Sequence, residues 1–268
     1  MRLYFAVIGE RVREYSASPA MHSASFRALG IDAEYIAIDV PREELACFAR
    51  LARWNFRGFN VTMPHKEEIV RYLDSLSEEA GATGAVNTVA VEGGVMTGYN
   101  TDAQALLGLA GRYMEGADVL VLGAGGAARA AVYAAITARA RAVYVTNRTE
   151  GRAVALARKF SERFGCEVRA VPWGARVRAA VVINATPVHD AVIADLSGAS
   201  LYIDLVYAPS PRTRMVEEAG RLGIKVIDGV DVLVEQGALA ERVWLGVEPD
   251  REVMREAVLK FLRAQGAL

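Results

Sequence analysis

Two periodicities divide the chain. From Asp118 onward, apolar runs at Val119–Leu122, Ala142–Thr146, Glu167–Val171, Ala180–Asn184, Tyr202–Val206 and Lys225–Asp228 alternate with Ala-rich or amphipathic stretches. Short apolar runs separated by helical patterns predict βαβ units and a parallel, doubly wound sheet. The N-terminal part follows another grammar. Strand patterns at Leu3–Ile8, Tyr35–Val40 and Gly58–Thr62 are separated by helix patterns, and Asn87–Val91 and Val95–Gly98 flank Glu92-Gly93-Gly94, a hairpin signal. A hairpin makes its two strands antiparallel, so this half predicts a separate mixed sheet. After Gly229 the pattern is helical to the end, with Pro249 near the start of the last helix. The expectation is an α/β chain of two domains: residues 1–102 with 236–268 as a mixed-sheet domain, and residues 103–235 as a parallel-sheet domain. The C-terminal tail would return to brace the first, leaving a cleft between the two, where small-molecule sites tend to lie.

Composition supports two buried cores and removes several function classes. The chain has 268 residues, of which 53% are hydrophobic. Lys+Arg of 31 against Asp+Glu of 32 leaves a net charge of -1, so nothing draws it globally to nucleic acid or an anionic membrane. An anionic ligand would have to be captured locally. Cys47 and Cys166, and His22, His65 and His189, are scattered without metal-ligand spacing, which predicts reduced thiols, no metal site and a cytoplasmic home. No apolar stretch approaches the roughly 20 residues of a membrane helix, and the first apolar run reads as a strand rather than a signal. The cations are skewed: only Lys66, Lys159, Lys225 and Lys260 are lysine, and amides are scarce, at six Asn and three Gln. General bias, including amide depletion with heat adaptation, explains such totals. It does not explain where the few remaining ones cluster.

Gly123-Ala124-Gly125-Gly126-Ala127-Ala128 follows the Val119–Leu122 strand and opens an Ala-rich helix. In that setting G-x-G-x-x-A is a dinucleotide fingerprint of the Rossmann type. The first glycine makes the tight turn, the second lets backbone approach a pyrophosphate, and the small last residue lets the helix pack closely. At the end of the next strand an NAD site would place Asp or Glu for the ribose hydroxyl. Here the chain reads Asn147-Arg148-Thr149, with Arg152 one turn on. Guanidinium groups suit a 2′-phosphate, and a cation at a helix start gains nothing from the dipole without an anion there. The cofactor expected is therefore NADP(H).

In Phe59-Asn60-Val61-Thr62-Met63-Pro64-His65-Lys66 a strand pattern feeds a predicted helix whose first turn is marked by Pro64. Lys66 would sit at the helix end that disfavours cations, a setting suited to a proton donor for a carbonyl being reduced. Asp102, just before an apolar-periodic stretch from Ala105, reads equally as a helix N-cap or a chemical partner. Asn87 interrupts an apolar strand, and a buried amide needs partners, protein or ligand. Ser18 can N-cap a helix running from Pro19 to near Gly30, while Ser16 and Ser18 together could hold a carboxylate.

Read together, these blocks closely resemble the shikimate dehydrogenase family along nearly the whole chain. The matching segments are Ser16 to Pro19, Asn60 to Lys66, Gly84 to Thr88, Asn100 to Asp102, Gly123 to Ala127, Asn147 to Thr149, Asn184 to Pro187, Asp204 to Tyr207 and Leu233 to Ala238. The resemblance implies reversible reduction of 3-dehydroshikimate to shikimate with NADPH, on the route to aromatic amino acids. It implies Lys66 and Asp102 as the catalytic pair, Ser16 and Ser18 on the substrate carboxylate, and Thr62, Asn87, Tyr207 and Gln236 on ring hydroxyls. Leu205 and Gly229, together with Glu78, would lie beside the nicotinamide half of the cofactor. The chain departs from the family pattern at Tyr15, where His is usual, at Val232 for Met, at Asp231 for Gly, and at His189. Two other readings remain: a quinate-oxidising relative using NAD, and a catalytically silent dinucleotide-sensing module. The sequence leaves open whether the chain acts alone or as a homodimer.

Overall fold

The structure, a computed structural model, describes residues 2–268, which divide into two compact units: one ends at Thr101 and resumes over Val234–Ala267, the other is Asp102–Leu233. The first unit contains β1 (Leu3–Gly9), α1 (Val12–Tyr15), α2 (Ser18–Ala28), β2 (Ala33–Asp39), α3 (Leu45–Asn55), β3 (Gly58–Val61), β4 (Ser75–Leu76), α4 (Glu78–Thr83), β5 (Thr88–Glu92) and β6 (Val95–Tyr99). The boundary falls at the first residue of α5 (Thr101–Met114). Then come β7 (Asp118–Leu122), α6 (Gly126–Thr137), β8 (Ala142–Thr146), α7 (Glu150–Phe164), β9 (Val168–Ala170), β10 (Val181–Asn184), β11 (Leu201–Asp204), α8 (Arg214–Arg221) and β12 (Lys225–Ile227). The chain re-enters the first unit within α9 (Gly229–Leu245) and ends in α10 (Arg251–Ala264).

The first unit is built on a mixed sheet of order β2-β1-β3-β5-β6-β4, in which β5 runs antiparallel to both β3 and β6 and the other pairs are parallel. Strand alternation makes both faces of β1 apolar. Phe5 and Val7 pack with Phe26, Tyr35 and Trp244, while Ala6 and Ile8 pack with Leu45, Phe59 and Val61. The β5–β6 hairpin turns at Gly93 and Gly94, whose φ of 58° and 83° are what a tight two-residue turn requires and what glycine supplies without strain.

The second unit holds a wholly parallel sheet of order β12-β11-β10-β7-β8-β9. Strand order reverses between β7 and β10. In open sheets of this kind ligands bind beyond the carboxyl ends of the strands at that reversal, which is the Rossmann arrangement. The α/β class and the two sheet types agree with the hydrophobic pattern. The pattern did not reveal β4, since two residues carry no periodicity. No helix of the described residues is long and apolar enough to cross a membrane.

Candidate active site

In the first unit Ser16 and Ser18 are both buried, at the junction of α1 and α2. The expectation that Ser18 caps its helix is corrected: Ser18 is the first residue of α2 and Ala17 takes the cap position with no side-chain bond. Instead the Ser18 N–H donates to Ser16 Oγ at 3.3 Å, and the Ser16 N–H donates back to Val12 O, closing the preceding turn. Next to them, the Tyr15 phenol is hydrogen-bonded to Thr62, and burial pushes its pKa up.

The helix expected at Lys66 is also absent. Residues 63–68 are turns followed by a short 3₁₀ helix, Ile69–Tyr72. The local bonds are of mixed type, Thr62 O accepting from His65 N three residues on and His65 O from Ile69 N four residues on, while Lys66 O, which a continuing helix would offer to Val70 N, accepts at 2.8 Å from Val86 N, a residue distant in sequence. The buried His65 ring is bonded through Nε2 to Val40 O at 2.6 Å. Lys66 is thus presented, half-buried, from a backbone pinned on both sides, and the helix-dipole argument for its placement does not apply.

Asn87 is 2% exposed and sits at the entrance to β5. Its Nδ2 donates to Thr101 Oγ1 at 2.9 Å and to Gln236 Oε1 at 3.2 Å, and its Oδ1 accepts from Thr101 N at 2.8 Å. The partners that a buried amide needs therefore come from the protein, and two expected substrate contacts, Asn87 and Gln236, meet across 149 residues of sequence. Behind them Asn60 Nδ2 donates to Asn87 O at 3.1 Å and to Thr88 Oγ1 at 3.0 Å, and Asn60 Oδ1 accepts from Tyr35 at 2.6 Å. Asn60, Thr88 and Thr101 lie inside the matching segments, and the resemblance gives them no role. Their signal was the one that marked Asn87, a polar residue within or beside an apolar strand. Glu78, in contrast, opens α4 as an exposed residue and makes no hydrogen bond or ion pair with the other expected residues.

In the second unit, the β7–α6 turn fits a dinucleotide. Gly123 has φ 116°, and a Cβ there would lie 2.8 Å from Ala185 O at the end of the neighbouring β10. A Cβ at Gly125 would meet nothing within 4 Å, so the space over the turn is open. Ala124 is buried, Gly125 precedes α6 and Gly126 and Ala127 begin it. The first N–H groups of such a helix have no partner inside it and face an anion favourably. Ala128 is wholly buried, as close packing of α6 requires. After β8, Asn147 Nδ2 donates to Thr149 O at 2.9 Å, shaping the turn into α7. Arg148 and Arg152 are exposed there, and no ion pair with a carboxylate engages either among the described residues.

Leu205 and Tyr207 lie in the loop after β11, and Gly229 starts α9 against it: a Gly229 Cβ would fall 2.2 Å from Val206 O. The loop hangs from Asp204, a wholly buried carboxylate. Asp204 accepts from Tyr202, Thr213, Asn184 and the Val206 N–H at 2.6 to 3.1 Å. Burial raises its pKa and these donors oppose the rise. Asp231, where the family usually has Gly, forms a reciprocal cap at the start of α9: Asp228 Oδ1 accepts from Asp231 N at 3.0 Å and Asp231 Oδ2 accepts from Asp228 N at 3.3 Å. Asp102 is the second residue of α5, inside the first turn rather than at its cap.

Comparison with known proteins matches three family descriptions in order along the chain. Residues 7–89 match the shikimate dehydrogenase substrate binding domain, residues 106–199 the shikimate / quinate 5-dehydrogenase family, and residues 229–259 the shikimate 5′-dehydrogenase C-terminal domain. The chain is 69% identical to the shikimate dehydrogenase (NADP(+)) of Pyrobaculum aerophilum over 97% of its length and 99% of the relative's. It is 70% identical to that of Pyrobaculum islandicum, with the same coverage. Among solved structures, shikimate 5-dehydrogenase from Thermus thermophilus in complex with NADP(H) and shikimate superposes with a TM-score of 0.86 at 40% identity, covering 96% of this chain and 99% of that one.

Proposed function

Because the chain belongs to the shikimate dehydrogenase family, we propose that it catalyses the reversible reduction of 3-dehydroshikimate to shikimate with NADPH, in the cytoplasm. The observation that carries the reading is the buried meeting of Asn87 and Gln236, two residues expected on ring hydroxyls and brought together across 149 residues of sequence. Ser16 and Ser18 hold the substrate carboxylate, with Thr62, Asn87, Tyr207 and Gln236 on the hydroxyls. Lys66 gives a proton to the carbonyl oxygen and stabilises the charge growing there, with Asp102 as its carboxylate partner. Gly123 to Ala127 cradle the pyrophosphate, and Asn147, Arg148, Thr149 and Arg152 receive the 2′-phosphate. Leu205, Gly229 and Glu78 border the nicotinamide half of the cofactor. When bound, NADPH supplies the hydride.

The test is absorbance at 340 nm with shikimate or quinate, each with NADP⁺ or NAD⁺. Shikimate with NADP⁺ should give by far the highest kcat/KM. A hydrogen bond to a charged group contributes about 1.5–3 kcal/mol, so Arg148→Ala should raise KM for NADP⁺ about tenfold or more and leave NAD⁺ kinetics nearly flat. Wild-type preference for NAD⁺, or equal damage to both cofactors in the variant, would overturn the cofactor assignment. Preference for quinate would overturn the substrate.

A further inference from the structure

Glu241 and His22 are both 0% exposed, and nothing in the proposed chemistry uses them. His22 Nδ1 donates to Glu241 Oε1 at 2.7 Å, and Ser25 Oγ donates to Oε2 at 2.6 Å. Burying a carboxylate and an imidazole in an apolar core costs stability that well-packed hydrophobic side chains of similar volume would often spare. His22 Nε2 has no hydrogen-bond partner among the described residues, which adds to that cost. A cluster of this kind is poorly explained by stability alone.

Its position suggests what it does. His22 lies one helical turn beyond Ser18 on α2, while Glu241 lies on α9, which also carries Gln236. One turn before Glu241, Gly237 meets Met21 of α2 so closely that a Cβ there would lie 2.3 Å from Met21 Cε. The crossing of α2 and α9 is thus fixed at two points, one by close approach and one by directional hydrogen bonds, and the second sets the rotation of α9 about its axis. On its other side the His22 ring stacks on Tyr35, with centroids 4.4 Å apart and planes at 19°. The Tyr35 hydroxyl donates to Asn60, and Asn60 donates to Asn87 O. The contacts close a ring through the first unit: Asn87, Gln236, α9, Glu241, His22, Tyr35, Asn60 and back to Asn87.

We propose that Glu241 and His22 are positioning residues for the substrate, a buried clamp that holds the Asn87 and Gln236 amides and the Ser18 helix in one geometry. This rests on the reading that those residues bind shikimate. Mispositioning them should act on substrate affinity while leaving the cofactor site untouched.

The experiment measures KM for shikimate, KM for NADP⁺, kcat and Tm for wild type, Glu241→Gln and the double variant His22→Leu/Glu241→Met. Glu241→Gln can keep both contacts, accepting from His22 with its carbonyl and donating to the Ser25 hydroxyl, and should stay close to wild type in every constant. The double variant replaces the polar pair by apolar side chains and should keep or raise Tm. Its KM for shikimate should rise about tenfold, the worth of one well-placed hydrogen bond, with KM for NADP⁺ and kcat changed less than about threefold. A folded double variant with unchanged KM for shikimate would overturn the proposal, as would a parallel rise for NADP⁺. If the double variant does not fold, Ser25→Ala, which removes one donor from the buried Glu241 and so lowers Tm, should still raise KM for shikimate with KM for NADP⁺ unchanged, and no rise there overturns it. Wild type is measured first. Turnover of neither shikimate nor quinate removes the functional reading itself, and the clamp with it.

Discussion

Lys66, half-buried on a turn whose carbonyl is held by the Val86 N–H, is the residue whose substitution tests the proposed chemistry most directly. One of four lysines among 31 cations, it stood out by composition, yet the helix drawn around it does not form, because Val86 N takes its carbonyl. That bond comes from a residue 20 positions away, and no local pattern encodes it. Asn87 was more legible as a polar residue at the edge of an apolar strand, and it is buried and engaged; Asn60 within β3 and Asn184 at the end of β10 carry the same signal and are likewise buried and engaged. Glu241 was invisible for the opposite reason, since on an amphipathic helix pattern a single Glu reads as solvated, and its partner His22 lies 219 residues away. If Lys66 delivers the proton, its worth appears in the transition state. Lys66→Ala should then lower kcat about a hundredfold or more while KM for shikimate changes little, since general acid catalysis is typically worth 10²–10⁴-fold. Stopped-flow or steady-state rates at 340 nm check this, and near-normal kcat would remove Lys66 from the chemistry.

At the scale of elements, the strands were legible because burial on one or both faces leaves a period that sequence preserves. The β7, β8 and β3 patterns fall within one residue of the observed strands, and the Gly93–Gly94 turn lies where the hairpin signal put it. Less legible was what glycine does inside helices, where the same residue has opposite consequences. Gly229 starts α9 with its Cα against the backbone of Val206 and Tyr207, so an added Cβ meets carbonyl oxygen at 2.2 Å and main-chain nitrogen at 2.7 Å. Backbone held by Asp204 cannot yield cheaply. Gly108, inside α5 and exposed, would place a Cβ in open space. Gly108→Ala should stabilise the protein by about 0.4–1 kcal/mol through helix propensity and a less flexible unfolded chain. Gly229→Ala should cost about 1–3 kcal/mol, as overpacking does, and should raise KM for NADP⁺ because the loop carrying Leu205 and Tyr207 must shift. Thermal unfolding of the two variants side by side decides the matter. Equal Tm values would show that the loop gives way more easily than the Asp204 bonds imply.

For the whole molecule, charge placement predicts how stability responds to acid. Several carboxylates are held below the usual range by a partner: Glu14 by Arg11, Asp39 by Arg13, Asp74 by Arg53, Asp118 by Arg141, Glu218 by Arg221 and Glu248 by Arg251. Each binds a proton less readily when folded than when unfolded. Its contribution is therefore present above the ordinary carboxylate pKa and is lost as pH falls through the lower folded value. Asp204 has the opposite sign. Burial raises its pKa, so its contribution is fully present below the ordinary value and is lost as pH rises through the raised one. The six surface pairs are individually weak, but they act in one direction against a single opposing group. Tm should be nearly flat from about pH 7 to 5 and fall below about pH 4, where carboxylates protonate. The fall should be shallower in molar salt, which screens surface pairs. Asp204→Asn removes the opposing group, so its Tm should drop more steeply than wild type's over the same acid range, whatever the substitution does at neutral pH. Scanning calorimetry of both proteins across that range is the measurement. A wild-type Tm that holds to pH 3, or a variant whose acid limb is the shallower of the two, would show that the surface pairs do not govern the acid response or that Asp204 is ionised throughout.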